Sequence, residues 1–281
     1  MAGTEIADIS RADDMEAAFD IRREVFCREQ GVSEEEELDG LDSQCRHYLA
    51  RCDGAPVATA RARTLAGGEA KIAAVDLLQS EAPDQLAIRA MQELGGVDVL
   101  INLAGIMSFK LFHEETAESI ERLWRVNTIA PMLLTRALLP QMMERGDGRI
   151  VNVGSVYGSI GFPCFVNYSA NKFAVRGFSQ ALRRELDGTG IGVTYVGPRY
   201  VRTPINAGPV ARMSAALKVN MDDPDVVAAS IVRAMEKDKK EHYIGFPECL
   251  FVRINAILPG LVDNSLRKQV QEIRDYAAGK K

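Results

Sequence analysis

The chain has 281 residues, 47% hydrophobic and 26% charged, with a net charge of −5. At roughly 100 to 200 residues per domain this allows one large domain or two modest ones, and it excludes a disordered or collagen-like protein. No basic excess exists, which excludes a nucleic-acid binder that works by neutralising phosphates. The amino end (MAGTEIADISRADDM) lacks a positive start followed by an apolar run, and no stretch of about 18 apolar residues occurs. No membrane span is therefore expected, and the expected location is cytoplasmic. Cys27, Cys45, Cys52, Cys164 and Cys249 are odd in number and lack C-x-x-C spacing, as expected of reduced thiols. His47, His113 and His242 lie too far apart for a zinc motif, so no metal site is expected.

Charge divides the chain. Residues 1–71 hold 16 acidic and 9 basic side chains, net −7, whereas residues 72–281 hold 23 and 25, net +2, and the change falls near the turn pair Gly67-Gly68. From there the pattern alternates short β-branched runs with long amphipathic ones, as βαβ units with a parallel sheet do. KIAAVD (71–76) reads as a strand, PDQLAIRAMQELG (83–95) as a helix ended by glycine, and VDVLIN (97–102) as a buried strand. A long helix is expected over about 116–143, a strand at GRIVNVG (148–154) and a helix over about 167–186. The strand IGVTYVG (191–197) stops at Pro198; helical segments near 206–217 and 223–236, a short strand HYIGF (242–246) and a mainly helical tail complete the chain.

Ligands of open parallel sheets bind outside the carboxyl ends of the strands. Asn102 with Ala104 and Gly105, then Gly154-Ser155, then Pro198 to Thr203 stand at such ends. Tyr168 and Lys172 are four apart, hence one turn apart on one helix face, where an ammonium would stabilise a phenolate and make the tyrosine a proton donor and acceptor. Ser155, thirteen residues earlier, could polarise the same carbonyl.

These residues resemble the short-chain dehydrogenase/reductase family, through VDLL (Asp76, Leu77), INLAG (Asn102, Ala104, Gly105), VNT (Asn127), GS (Ser155), YSANK (Tyr168, Lys172) and PRYVRT (Pro198, Val201, Thr203), in order over about 72–281. The resemblance implies an α/β Rossmann-like fold with helices on both faces of a mostly parallel sheet. It also implies NAD or NADP as cofactor and a carbonyl or alcohol as substrate. Tyr168 would exchange a proton with the substrate oxygen, Lys172 would lower its pKa and hold the nicotinamide ribose, Ser155 would orient the substrate and Asn127 would anchor a water. Asp76 and Leu77 would meet the adenine; Asn102, Ala104 and Gly105 would line the cofactor; Pro198, Val201 and Thr203 would lie beside the carboxamide. A homodimer or homotetramer, paired through helices 116–143 and 167–186, follows by the same resemblance. Leu103 stands where the family usually has a second Asn, and Arg199 where it has Gly.

The family's opening strand, T-G-x-x-x-G-x-G turn and helix have no counterpart before Asp76. Residues 1–71 are instead similar to the amino-terminal part of GNAT acetyltransferases, through AFDIRREVFCREQGVSEEEELDGLD (18–42) and HYLARCDGAPVATARAR (47–63). That implies an antiparallel βααββ segment, with a hairpin at Asp53-Gly54, in place of the first βαβ portion and within one mixed sheet. Two further readings stand beside an oxidoreductase. One is a chimera that keeps the catalytic side chains and holds NAD(P) poorly. The other is acetyl transfer, for which the acyl-CoA loop Q/R-x-x-G-x-G/A is missing.

Overall fold

The computed structural model describes residues 4–8, 12–24, 46–52, 55–62, 73, 75–206 and 208–281. It divides into two compact units, Met1–Asp76 and Leu77–Lys281. In the first, strand β1 (Thr4–Asp8) pairs antiparallel with β2 (Arg46–Cys52), and β2 with β3 (Ala55–Ala62), while helix α1 spans Ala12–Arg22. The second helix expected here, the Asp53-Gly54 turn and Gly67-Gly68 lie outside the described residues. So does much of KIAAVD, of which the described residues, Ala73, Val75 and Asp76, belong to no strand.

The second unit is built on four parallel strands in the order β4 (Val99–Asn102), β5 (Gly148–Val153), β6 (Ile191–Gly197) and β7 (Glu241–Tyr243). The expected single mixed sheet is replaced by two sheets. The antiparallel strands hydrogen-bond among themselves, and the outer edge of β4 has no strand partner among the described residues. The period-2 alternation of β5 assigns its two faces. Ile150 joins Leu100, Val193, Leu138 and Met142 on one side, and Val151 and Val153 join Val196, Val227 and Ile231 on the other. Helices α2 (Ala82–Leu94), α4 (Ala130–Arg145) and α5 (Val166–Glu185) cover the first face and α7 (Pro224–Glu236) the second. Gly95 and Gly146 close α2 and α4 at φ 74° and 67°, left-handed conformations that favour glycine.

The helix expected over 116–143 is formed, and its α hydrogen-bond ladder is broken once by a π turn. Thr116 caps α3 (Ala117–Trp124) by accepting from the Ser119 N–H, a π-helical turn follows at Arg125–Ile129, and α4 resumes at Ala130. Pro131 supplies the reason: it has no N–H to give the carbonyl four residues back, that of Asn127, so the α ladder is interrupted there. The carboxyl-terminal part is helical throughout, with α6 (Pro209–Ala216) before α7, then α8 (Glu248–Ile257), α9 (Pro259–Arg267) and α10 (Val270–Ala277) after β7.

Candidate active site

Parallel pairing in register brings the carboxyl ends of β4, β5 and β6 side by side, with Asn102 opposite Asn152 and Asn152 opposite Tyr195. Beneath that edge runs a buried polar chain. The Asn102 amide donates to Asn152 Oδ1 (2.8 Å) and Thr135 Oγ1 (3.2 Å), and the Asn152 amide donates to Ser179 Oγ on α5 (2.9 Å). Asn102 is therefore spent within the fold, fixing β4 to β5. Ala104 and Gly105 follow it into the loop above.

Ser155 stands just past β5, where two backbone bonds hold the turn: Gly154 N–H to Val196 O (2.7 Å) and Val156 N–H to Pro198 O (2.9 Å). A Cβ on Gly154 would lie 2.2–2.4 Å from the Tyr195 ring, so glycine is required for the strand to pass this close. The Tyr195 hydroxyl donates to Ser155 O (2.8 Å), and Ser155 Oγ accepts from the Tyr157 N–H (3.1 Å). Tyr168 and Lys172 lie one turn apart on α5. The Lys172 Nζ is 5.5 Å from the centre of the Tyr168 ring and donates to Val153 O (3.2 Å). Burial pushes the Tyr168 phenol up to about 12, opposed by the Ser155 hydroxyl. The same burial holds the Lys172 ammonium down to about 8. Burial also raises the Tyr195 and Tyr200 phenols above their ordinary value.

Asn127 sits in the π turn, fully enclosed, and its carboxamide clasps the backbone of one residue, Ile106. Its Oδ1 accepts from the Ile106 N–H and its Nδ2 donates to the Ile106 C=O, both at 2.8 Å. A Cβ on Gly105 would lie 3.3 Å from Asn127 Oδ1 and 3.6 Å from Lys172 Nζ, so the loop after β4, the π turn and α5 converge at that glycine. Past β6, the Val201 carbonyl accepts from the Thr203 N–H and the Asn206 amide (both 2.8 Å), which folds the 198–206 loop. Asp76 ends the first unit and Leu77 opens the second.

A cavity of about 660 Å³ opens beside Ser155 and Tyr168, walled among others by Tyr157, Phe162, Tyr200 and Ile254. The Tyr157 and Tyr200 hydroxyls hydrogen-bond to each other. Arg199 holds this wall together: it grips Asp222 with Nε (2.9 Å) and Nη2 (2.7 Å), and its Nη1 reaches Glu248 (2.9 Å) at the start of α8. Farther along α8, the Asn255 amide donates to Ser159 O (2.9 Å). Among the described residues, no cluster of metal-ligating side chains occurs, and no helix is long and apolar enough to cross a membrane.

The sequence and the fold are similar to those of known proteins. The chain is 36% identical over 184 residues to the ketoacyl reductase HetN of Nostoc sp., covering 65% of this chain and 63% of that protein. It is 35% identical over 174 residues to dehydrogenase/reductase SDR family member 7B of Danio rerio, covering 59% and 56%. It thus spans less than two thirds of these relatives' lengths. The crystal structure of a short-chain dehydrogenase from Streptomyces avermitilis matches 74% of this chain and 80% of its own, at 31% identity and a TM-score of 0.58. ElxO with NADP bound, at 22% identity and a TM-score of 0.53, shares the fold. The profile of the short chain dehydrogenase family matches residues 40–213, more than half of the sequence, and the chain belongs to that family.

Proposed function

We propose that this chain is an NAD(P)-dependent oxidoreductase that transfers hydride between nicotinamide and the carbonyl or alcohol carbon of a small-molecule substrate. The observation that carries it is the convergence of Ser155, Tyr168 and Lys172 at the carboxyl edge of a parallel sheet, against an apolar cavity. The reactive end of a dinucleotide fits these residues. Gly105 offers bare backbone beside Lys172 Nζ, and Lys172 has ammonium protons beyond the one given to Val153 O. Pro198, Val201 and Thr203 would line the carboxamide, Ala104 and Asn102 the strand end, and Asp76 with Leu77 the adenine.

NAD or NADP, when bound, supplies or accepts the hydride. The chain's own residues handle the proton. In the reducing direction Tyr168 gives its hydroxyl proton to the substrate oxygen while Ser155 holds that oxygen by a hydrogen bond. Lys172 then favours the phenolate through its charge. Asn127 acts by fixing Ile106 and the loop that carries Gly105, with one amide proton left over for a water.

In this reading residues 1–71 are a GNAT-like βααββ segment standing in for the first βαβ portion, and residues 72–281 are the dehydrogenase portion. Helices α4 and α5 pair in a homodimer or homotetramer, supported by the exposed apolar residues Met132, Met143, Val166 and Phe173 on them. The location is cytoplasmic, without a nucleic-acid partner. A second reading, a chimera that keeps these side chains and binds NAD(P) weakly, is favoured by one observation: the sequence has no T-G-x-x-x-G-x-G turn before Asp76. Steady-state reduction of a carbonyl panel with NADH or NADPH separates the two. Turnover that falls roughly 10²- to 10⁴-fold in Tyr168→Phe, with cofactor affinity unchanged, supports the first. Turnover indifferent to that substitution sinks it.

A further inference from the structure

Around Ser155 and Tyr168 the cavity lining is mainly apolar or aromatic, with Val156, Tyr157, Ile160, Phe162, Tyr200 and Ile254, and the half-buried Asn206 adds a polar group. Its exposed part combines the apolar Ile205, Phe251 and Leu261 with the polar Lys218, Asn220, Ser265 and Gln269. Three lining residues are charged, and two of them cancel. Arg199 spends its donors on Asp222, Glu248 and the Phe246 carbonyl, so it offers no free guanidinium to a substrate anion. The third, Lys218, is exposed and has no carboxylate within ion-pair distance among the described residues. Its backbone sits at φ 52°, just past the end of α6, where glycine is the usual residue.

On the oxidoreductase reading above, we propose that the substrate is an amphiphile of the oxo- or hydroxy-fatty carboxylate class. Its carbonyl or alcohol reaches Ser155 and Tyr168, its chain fills the apolar interior, and its carboxylate lies at the mouth against Lys218. The volume suits a ligand of this size, since pockets of about 300–1,000 Å³ enclose drug-sized molecules. A short hydroxy acid is disfavoured, because among the residues that line the cavity the charged ones near Ser155 and Tyr168, Arg199 and Glu248, are paired with each other.

The test is calorimetric binding to the full chain without dinucleotide. The probes are 11-oxododecanoate, its methyl ester and 5-oxohexanoate. Burial of each methylene is worth up to about fourfold in affinity, so the twelve-carbon acid should bind at least 100-fold more tightly than the six-carbon one. At low salt the acid should bind a few-fold more tightly than its ester, and Lys218→Met should abolish that preference while keeping the chain-length dependence. Ile254→Glu, with an unchanged circular dichroism spectrum, should weaken binding of the twelve-carbon acid at least tenfold. Equal affinity for the long and short acids, or an acid preference that survives Lys218→Met, overturns the proposal. Binding as stated by a chain that takes up no NADH or NADPH supports the substrate class and faults the oxidoreductase reading, so the two failures are distinguishable.

Discussion

Lys172 is the residue at which burial and chemistry meet. A lysine titrates near 10.4 when unfolded, and enclosure under Val153 brings it down to about 8. Between these values the unfolded chain binds the proton and the folded chain does not, so this group's contribution to stability rises with pH across roughly 8 to 10.4 and is flat below. Tyr168 has the opposite sign: its folded pKa of about 12 lies above the ordinary phenol value, so its contribution is full below about 10 and is lost as pH rises toward 12. Urea unfolding compared at pH 8 and pH 10 should therefore show a rise in wild type that Lys172→Met lacks, on the order of 2–3 kcal/mol. Equal pH dependence in both proteins would contradict the burial of a charged lysine. The pairing of these two residues was legible in sequence because four-residue spacing on a helix dictates it. The direction of their pKa values was not. The spacing suggested a phenol lowered by its lysine, whereas in the folded chain burial raises the phenol, and Ser155 is the group that opposes the rise.

At the scale of elements, β5 and β6 were readable from their alternating β-branched residues, and the turn at Ser155 from the glycine before it. The break between α3 and α4 was not read, although Pro131 carried the signal, because the apolar periodicity runs through it unchanged. That break matters, since it aims Asn127 at Ile106. Asn127→Ala removes two hydrogen bonds and leaves the Ile106 N–H and C=O without those partners, a loss of about 1–3 kcal/mol measurable by chemical denaturation. Gly154→Ala should be far more damaging, because the new methyl overlaps the enclosed Tyr195 ring; Gly161→Ala, where a Cβ meets nothing within 4 Å, should be near neutral. Similar stabilities for the two alanine variants would show that the Ser155 turn is not held as described.

For the whole molecule, the parallel sheet with helices on both faces follows from the strand and helix alternation after residue 97. The cavity wall depends on contacts distant in sequence, such as Arg199 with Asp222 and Glu248. The outer edge of β4 has no strand partner among the described residues, and its Val99 and Ile101 are 38% and 44% exposed. A second apolar surface lies on α4 and α5, and sedimentation should show a dimer or tetramer that Phe173→Asp converts to monomer; a monomeric wild type would contradict that pairing. Everything assigned to the proton-handling residues presupposes a dinucleotide held beside them. A fluorescence titration of the full chain with NADH and NADPH tests this most directly. A saturable change with at least one of them is the predicted result, and no saturable change up to millimolar concentration of either would contradict it.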